Sequence, residues 1–77
     1  MVIHTRFGKV FVDTSKEMGG YKNGDRIVYI PLNQHGKVLG VGRGKQKDQK
    51  EVLWFQLDSK DYPTYMYPFE AETIQRV

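Results

Sequence analysis

Glu51-Val52-Leu53-Trp54-Phe55-Gln56-Leu57-Asp58 is the stretch whose reading decides the fold. Leu53, Phe55 and Leu57 recur every second residue, and side chains two apart share one face of an extended strand. The same spacing sends Val52, Trp54 and Gln56 to the opposite face, and predicts an interior lined by Leu53, Phe55 and Leu57 with the Trp54 indole on the outer side. An apolar repeat at three and four residues, which would mark a helix, is missing from every window of a dozen residues.

Working outward, short apolar runs alternate with turn chemistry. Toward the N-terminus, Lys37-Val38-Leu39-Gly40-Val41-Gly42 and Arg26-Ile27-Val28-Tyr29-Ile30 read as strands, the second of them stopped by Pro31. Asn33-Gln34-His35-Gly36 turns the chain between them, and Lys22-Asn23-Gly24-Asp25 turns it before them, because Asn and Gly accept positive φ at little cost. Residues 2–5 and 9–12 flank a turn at Arg6-Phe7-Gly8, and residues 13–20 are polar and end in two glycines, as a loop does. Beyond the central stretch, Ser59–Pro63 is a turn and Tyr65-Met66-Tyr67 a short extended piece. Glu70–Ile74 reads as one helical or 3₁₀ turn that docks Ile74 on the core. Gly40 and Gly42 alternate with Leu39 and Val41, which places glycine where a strand bends sharply or another backbone comes close.

The expectation is an all-β fold: a small barrel of five to six short antiparallel strands, closed or half-closed, with a short 3₁₀ or helical turn near the C-terminus. Seventy-seven residues suit one domain, with residues 1–20 as a strand or hairpin added to a barrel at 22–76. The residues are 39% apolar and 27% charged, too rich in core formers for a disordered chain and too polar for a membrane span. There is no cysteine, which removes disulfides and thiolate metal sites and favours an intracellular setting. The N-terminus lacks the apolar run of a signal core.

The hairpin Gly24-Asp25-Arg26-Ile27-Val28-Tyr29 and His35-Gly36-Lys37-Val38-Leu39-Gly40-Val41 resembles the opening of SH3-like barrels of the Tudor, KOW and CAP-Gly kind. Leu53–Asp58 is similar to the Tudor strand that ends in an acidic residue, and Phe69–Ile74 falls where such barrels carry a 3₁₀ turn. The resemblance implies a non-catalytic binding module. A Tudor-type cage for methylated Lys or Arg, held by cation–π attraction to ring faces, would draw on Tyr29, Phe55, Asp58, Tyr62 and Tyr65.

Three candidate functions follow from the residues themselves. Asp61-Tyr62-Pro63-Thr64-Tyr65-Met66-Tyr67-Pro68-Phe69 packs four aromatics and two prolines into nine positions. With Trp54 and Tyr29, its rings Tyr62, Tyr65 and Tyr67 form an expected surface for a protein or peptide segment. Asp58 and Asp61 beside it would select a basic, methylated or proline-rich partner. The alternative is RNA or DNA, bound by Arg43, Lys45, Lys47 and Lys50 in a stretch (34–50) that holds five basic residues and one acidic. A third reading is a structural domain used for self-association. Neither His4 nor His35 sits in a nucleophile or metal-ligand motif, so no enzyme, cofactor or metal is expected.

Overall fold

The computed structural model describes residues 1–44 and 50–77, the side chains of Pro68 and Phe69 excepted. The described residues form an all-β, antiparallel, small barrel-like module of seven strands: β1 (Val2–Thr5), β2 (Gly8–Asp13), β3 (Arg26–Tyr29), β4 (Gln34–Arg43), β5 (Glu51–Leu57), β6 (Thr64–Met66) and β7 (Ile74–Arg76). Two 3₁₀ segments, Ile30–Leu32 and Pro68–Thr73, complete it. No helix among the described residues is long and apolar enough to cross a membrane.

The central stretch is strand β5, and its period-two alternation separates two cores. Leu53, Phe55 and Leu57 join Ile27, Val38, Val41, Met66 and Ile74 in one cluster. Val52 and Trp54 point the other way, as the alternation requires, but into a second cluster with Ile3 and Val12. Trp54 is therefore not on an outer surface: its exposure is 0%. The cause is the β1–β2 hairpin, whose inward residues Ile3 and Val12 lie over that face. Alternation assigns a residue to a face of its own strand; it says nothing about what covers the face. Here residues 1–13 cover it.

Strand β4 carries the bend that makes this possible. On one edge it pairs with β3 through Gln34–Lys37, and farther along with β2 through Val41 and Gly42. Its other edge pairs with β5 from Gly36 to Arg43. The change of partner falls at an irregularity between Val38 and Gly40, where Gly40 has φ +151°. A side chain at Gly40 would begin 2.6 Å from the Asp13 carbonyl oxygen, and one at Gly42 2.5 Å from that of Phe11. Both glycines thus let the β2 backbone approach, as their spacing in the sequence suggests.

The sheet does not close into a barrel. The path runs β6-β5-β4-β3-β7, with β7 on β3, and its end strands β6 and β7 are linked by the 3₁₀ segment without pairing. Tyr67 shows why. Its N–H is taken by the Glu70 carboxylate (2.9 Å), and the Glu70 N–H returns to the Tyr67 carbonyl (2.9 Å), so the chain turns where a ladder would continue. The all-β antiparallel expectation with its 3₁₀ turn near the C-terminus holds; the described residues form seven strands where five to six were expected, in a sheet that stops short of closure.

Candidate functional site

The β1–β2 turn, the end of β3, the β5–β6 connection and the start of the second 3₁₀ segment meet around one open groove of about 690 Å³. Its aromatic lining is Phe7, Tyr29, Tyr62, Tyr65 and Tyr67, with Leu32, Leu57 and Pro63 between the rings.

Each wall is fixed from beneath. Tyr29 rests on the Phe55 ring, 5.8 Å between centroids, and Phe55 is buried in the first core. Tyr65 lies 5.0 Å from the Trp54 indole and meets Tyr67 edge-on at 5.8 Å. Such offset and edge-to-face contacts hold rings in defined orientations. Trp54 Nε1–H donates to the Arg43 carbonyl at 2.9 Å, which ties the end of β4 to the same stack. Gly44 continues this contact: a side chain there would begin 3.4 Å from the Tyr65 ring and 3.5 Å from the Tyr67 hydroxyl. The β1–β2 turn is held by Thr5, whose hydroxyl donates to the Gly8 carbonyl (2.8 Å) and accepts the Phe7 N–H (3.0 Å). Tyr62 is the ring left most open, at 49% exposure, in a connection that also contains Pro63.

Of the residues the sequence singles out for peptide binding, Tyr29, Tyr62, Tyr65, Tyr67 and Asp61 come together in this groove. Trp54 lies under it, as a support and not as a contact surface. Asp58 is outside the lining, and its carboxylate accepts Arg26 Nη2–H at 2.8 Å. Phe55, included in the implied cage, is floor beneath Tyr29. Sequence reasoning missed Arg6, Phe7, Leu32 and Lys60. A signal for Phe7 was present, since a large apolar side chain at the tip of a tight turn has little reason to be there for the turn's sake.

For the alternative set, Arg43 and Lys50 are exposed on either side of the hairpin between β4 and β5. Lys45 and Lys47 lie outside the described residues. His4 and His35 are exposed, on β1 and β4. Among the described residues, no group of three or more His, Cys, Asp or Glu side chains converges in a way that could hold a metal ion.

The charge at the groove is mixed. Arg6, Lys60, Asp61 and Glu70 line it, and the Glu70 carboxylate is engaged by the Tyr67 amide. Away from the groove, the fold shifts the titrations of Asp13, Asp25 and Lys16. Ser15 donates to Asp13 from both hydroxyl and amide and lowers its pKa. The Lys22 amide lowers that of Asp25, with Arg76 adding to the effect. Glu51 raises that of Lys16 by accepting its ammonium proton at 2.8 Å. All three act as ties between loops and strands.

No family model matches the chain, and neither a curated protein nor a solved structure gives a significant match.

Proposed function

We propose that the chain is a non-catalytic binding module that takes an extended protein segment into the aromatic groove. The observation that carries this reading is convergence: rings from four separate parts of the chain, supported from below by Trp54 and Phe55, line one open depression. Rigid amphipathic rings give contact area at low entropic cost, and aromatic residues are enriched where proteins bind proteins. A buried core has no need to leave Tyr62 half in solvent.

The connectivity supports the finer likeness as well. From β3 to β6 the strands follow one another as antiparallel neighbours, a 3₁₀ segment follows, and β7 returns to β3. That order is compatible with the small barrel that the resemblance implies, and the groove lies beside the end of β3 and the β5–β6 turn. Tyr29, Tyr62 and Tyr65 fit the implied cage; Phe55 and Asp58 have other partners.

Selection of a displayed decapeptide library on the chain tests the reading. It is expected to enrich sequences whose binding weakens about tenfold in Tyr62→Ala, the loss of about 1.4 kcal/mol for one open aromatic contact. Absence of enrichment, or enriched peptides indifferent to Tyr62→Ala, refutes it.

Gly44 favours a second reading. Its contact with Tyr65 and Tyr67 sets the start of the basic 43–50 stretch beside the groove wall, so a nucleic acid held at Arg43 would lie close to rings suited to stacking. Under that reading an oligonucleotide binds with steep salt dependence, and loses binding when Lys45, Lys47 and Lys50 are neutralised together.

A further inference from the structure

The sheet edge that borders the groove is open, and the inference drawn from it rests on the protein-segment reading above. Among the described residues β6 pairs with β5 and with no other strand. Of β5 only its last residue, Leu57, reaches the groove, whereas the lining follows the chain from Ser59 through Thr64 and Tyr65 to Tyr67 and Glu70. The groove therefore runs along β6 on the side away from β5.

Hydrogen-bond phasing fixes which groups β6 presents there. In an antiparallel ladder the N–H and C=O of one residue point to the same edge, and those of the next residue to the other. The Asp58 N–H donates to the His35 carbonyl at 2.9 Å, so Asp58 faces β4 and Leu57 faces away from it. Two residues back, Phe55 faces the same way as Leu57, toward β6, where it stands opposite Thr64. Thr64 and Met66 thus turn their backbone groups to β5, and Tyr65 between them turns its N–H and C=O to the open side. Neither group of Tyr65 has a partner among the described residues.

The flanking positions on that side offer less. Pro63 has no N–H, and the Tyr67 N–H is taken by the Glu70 carboxylate at 2.9 Å. Proteins blunt open edges with proline, charge or a covering element. Here Pro63 and Glu70 confine the open edge to one complete donor–acceptor pair, on the residue whose ring also lines the groove.

We propose that the partner segment docks as an added strand on β6, exchanging two backbone hydrogen bonds with Tyr65. One residue of an antiparallel segment can accept the Tyr65 N–H and donate to the Tyr65 carbonyl. Side chains of an extended segment alternate between faces. The residue opposite Tyr65 then lies on the face of the Tyr65 ring, and its two neighbours lie on the face of Leu57 and Phe55, where Tyr29 rests. One ligand thus meets rings on both faces. A phosphodiester backbone has acceptors but no donor for the Tyr65 carbonyl, so a nucleic acid backbone does not make this pair.

The probe is the tightest-binding decapeptide from the selection above, titrated calorimetrically against the whole chain. Each peptide amide is replaced in turn by an ester, which removes one N–H and keeps the backbone shape. The expected result is a loss of about fivefold at one position, as for a single hydrogen bond, with esters two or more positions away binding within about twofold of the parent. Hydrogen exchange at the Tyr65 amide, followed by NMR, is expected to slow by about tenfold or more when the peptide saturates the chain, while that of Val2 on β1 stays unchanged.

An ester series with no sensitive position, or a Tyr65 amide that exchanges as fast as in the free chain, overturns the added strand and leaves the groove reading standing, because side chains alone then hold the peptide. A selection that yields no peptide sensitive to Tyr62→Ala overturns the groove reading and the added strand with it. A ten-nucleotide strand of thymidines that displaces the peptide overturns the choice of a protein segment.

Discussion

Replacing Trp54 with alanine removes the largest side chain in the second core. The indole is fully enclosed, packs with Ile3, Val12 and Val52, and donates to the Arg43 carbonyl at 2.9 Å. Large-to-small changes of this kind cost about 3–5 kcal/mol, through lost transfer energy and the cavity left behind. A chain of this length has a total stability of about 4–12 kcal/mol, so the alanine variant is expected to lose between about a quarter and all of it. Trp54→Phe keeps most of the buried ring and loses the N–H donor, at about 1–2 kcal/mol. Urea unfolding followed by far-UV circular dichroism separates the cases. With a slope of about 1 kcal/mol per molar urea, Trp54→Phe should move the midpoint down by about 1–2 M, and Trp54→Ala by about 3–5 M or to the point where no folded baseline remains. An alanine variant whose midpoint stays within about 0.5 M of the parent would mean that the indole is a surface residue, and the two-core account would be wrong.

Three further outcomes follow from the same packing. Gly42→Ala forces a methyl to 2.5 Å from the Phe11 carbonyl and should prise the β1–β2 hairpin from β4, at about 2 kcal/mol or more by calorimetry. Thr5→Val removes both hydrogen bonds of the β1–β2 turn; stability should fall by about 1–2 kcal/mol, and peptide affinity should fall beyond what the lost folded fraction explains, because the turn carries Arg6 and Phe7. Asp25 is stabilised as the carboxylate, first by the Lys22 amide and then by Arg76, so its pKa is lower folded than unfolded. Its contribution is fully present above the unfolded value and is lost as pH falls through the folded one, below about pH 4. A urea midpoint that drops through that range in the parent should drop less in Asp25→Asn, and an identical pH profile would remove Asp25 from the account.

The strands were legible where alternation and turn chemistry agreed. β5 shows both through Leu53, Phe55 and Leu57, and the turns at Lys22–Asp25 and Asn33–Gly36 lie where Asn and Gly put them. Gly40 and Gly42 announced the close approach of a backbone but not which backbone, since nothing local in residues 8–13 says that β2 crosses there. That gap is the same one that hid the burial of Trp54. The groove was half legible: the tyrosines cluster in sequence and in space, but Arg6 and Phe7 reach them only through the hairpin's fold-over. The fate of Asp58 was invisible because its partner, Arg26, is 32 positions away on a different strand.

The most direct test of the central claim is a ¹H–¹⁵N correlation spectrum of the chain recorded while a nine-residue peptide with a Pro-Tyr-Pro centre and Ser flanks is added. Binding in the groove predicts the largest shifts at the amides of Tyr29, Tyr62 and Tyr65, the Trp54 indole N–H moving with them, and the exposed outer face of the hairpin at Val2 and Phe11 unmoved. Shifts centred on Val2 and Phe11, or spread evenly over the chain, would contradict it.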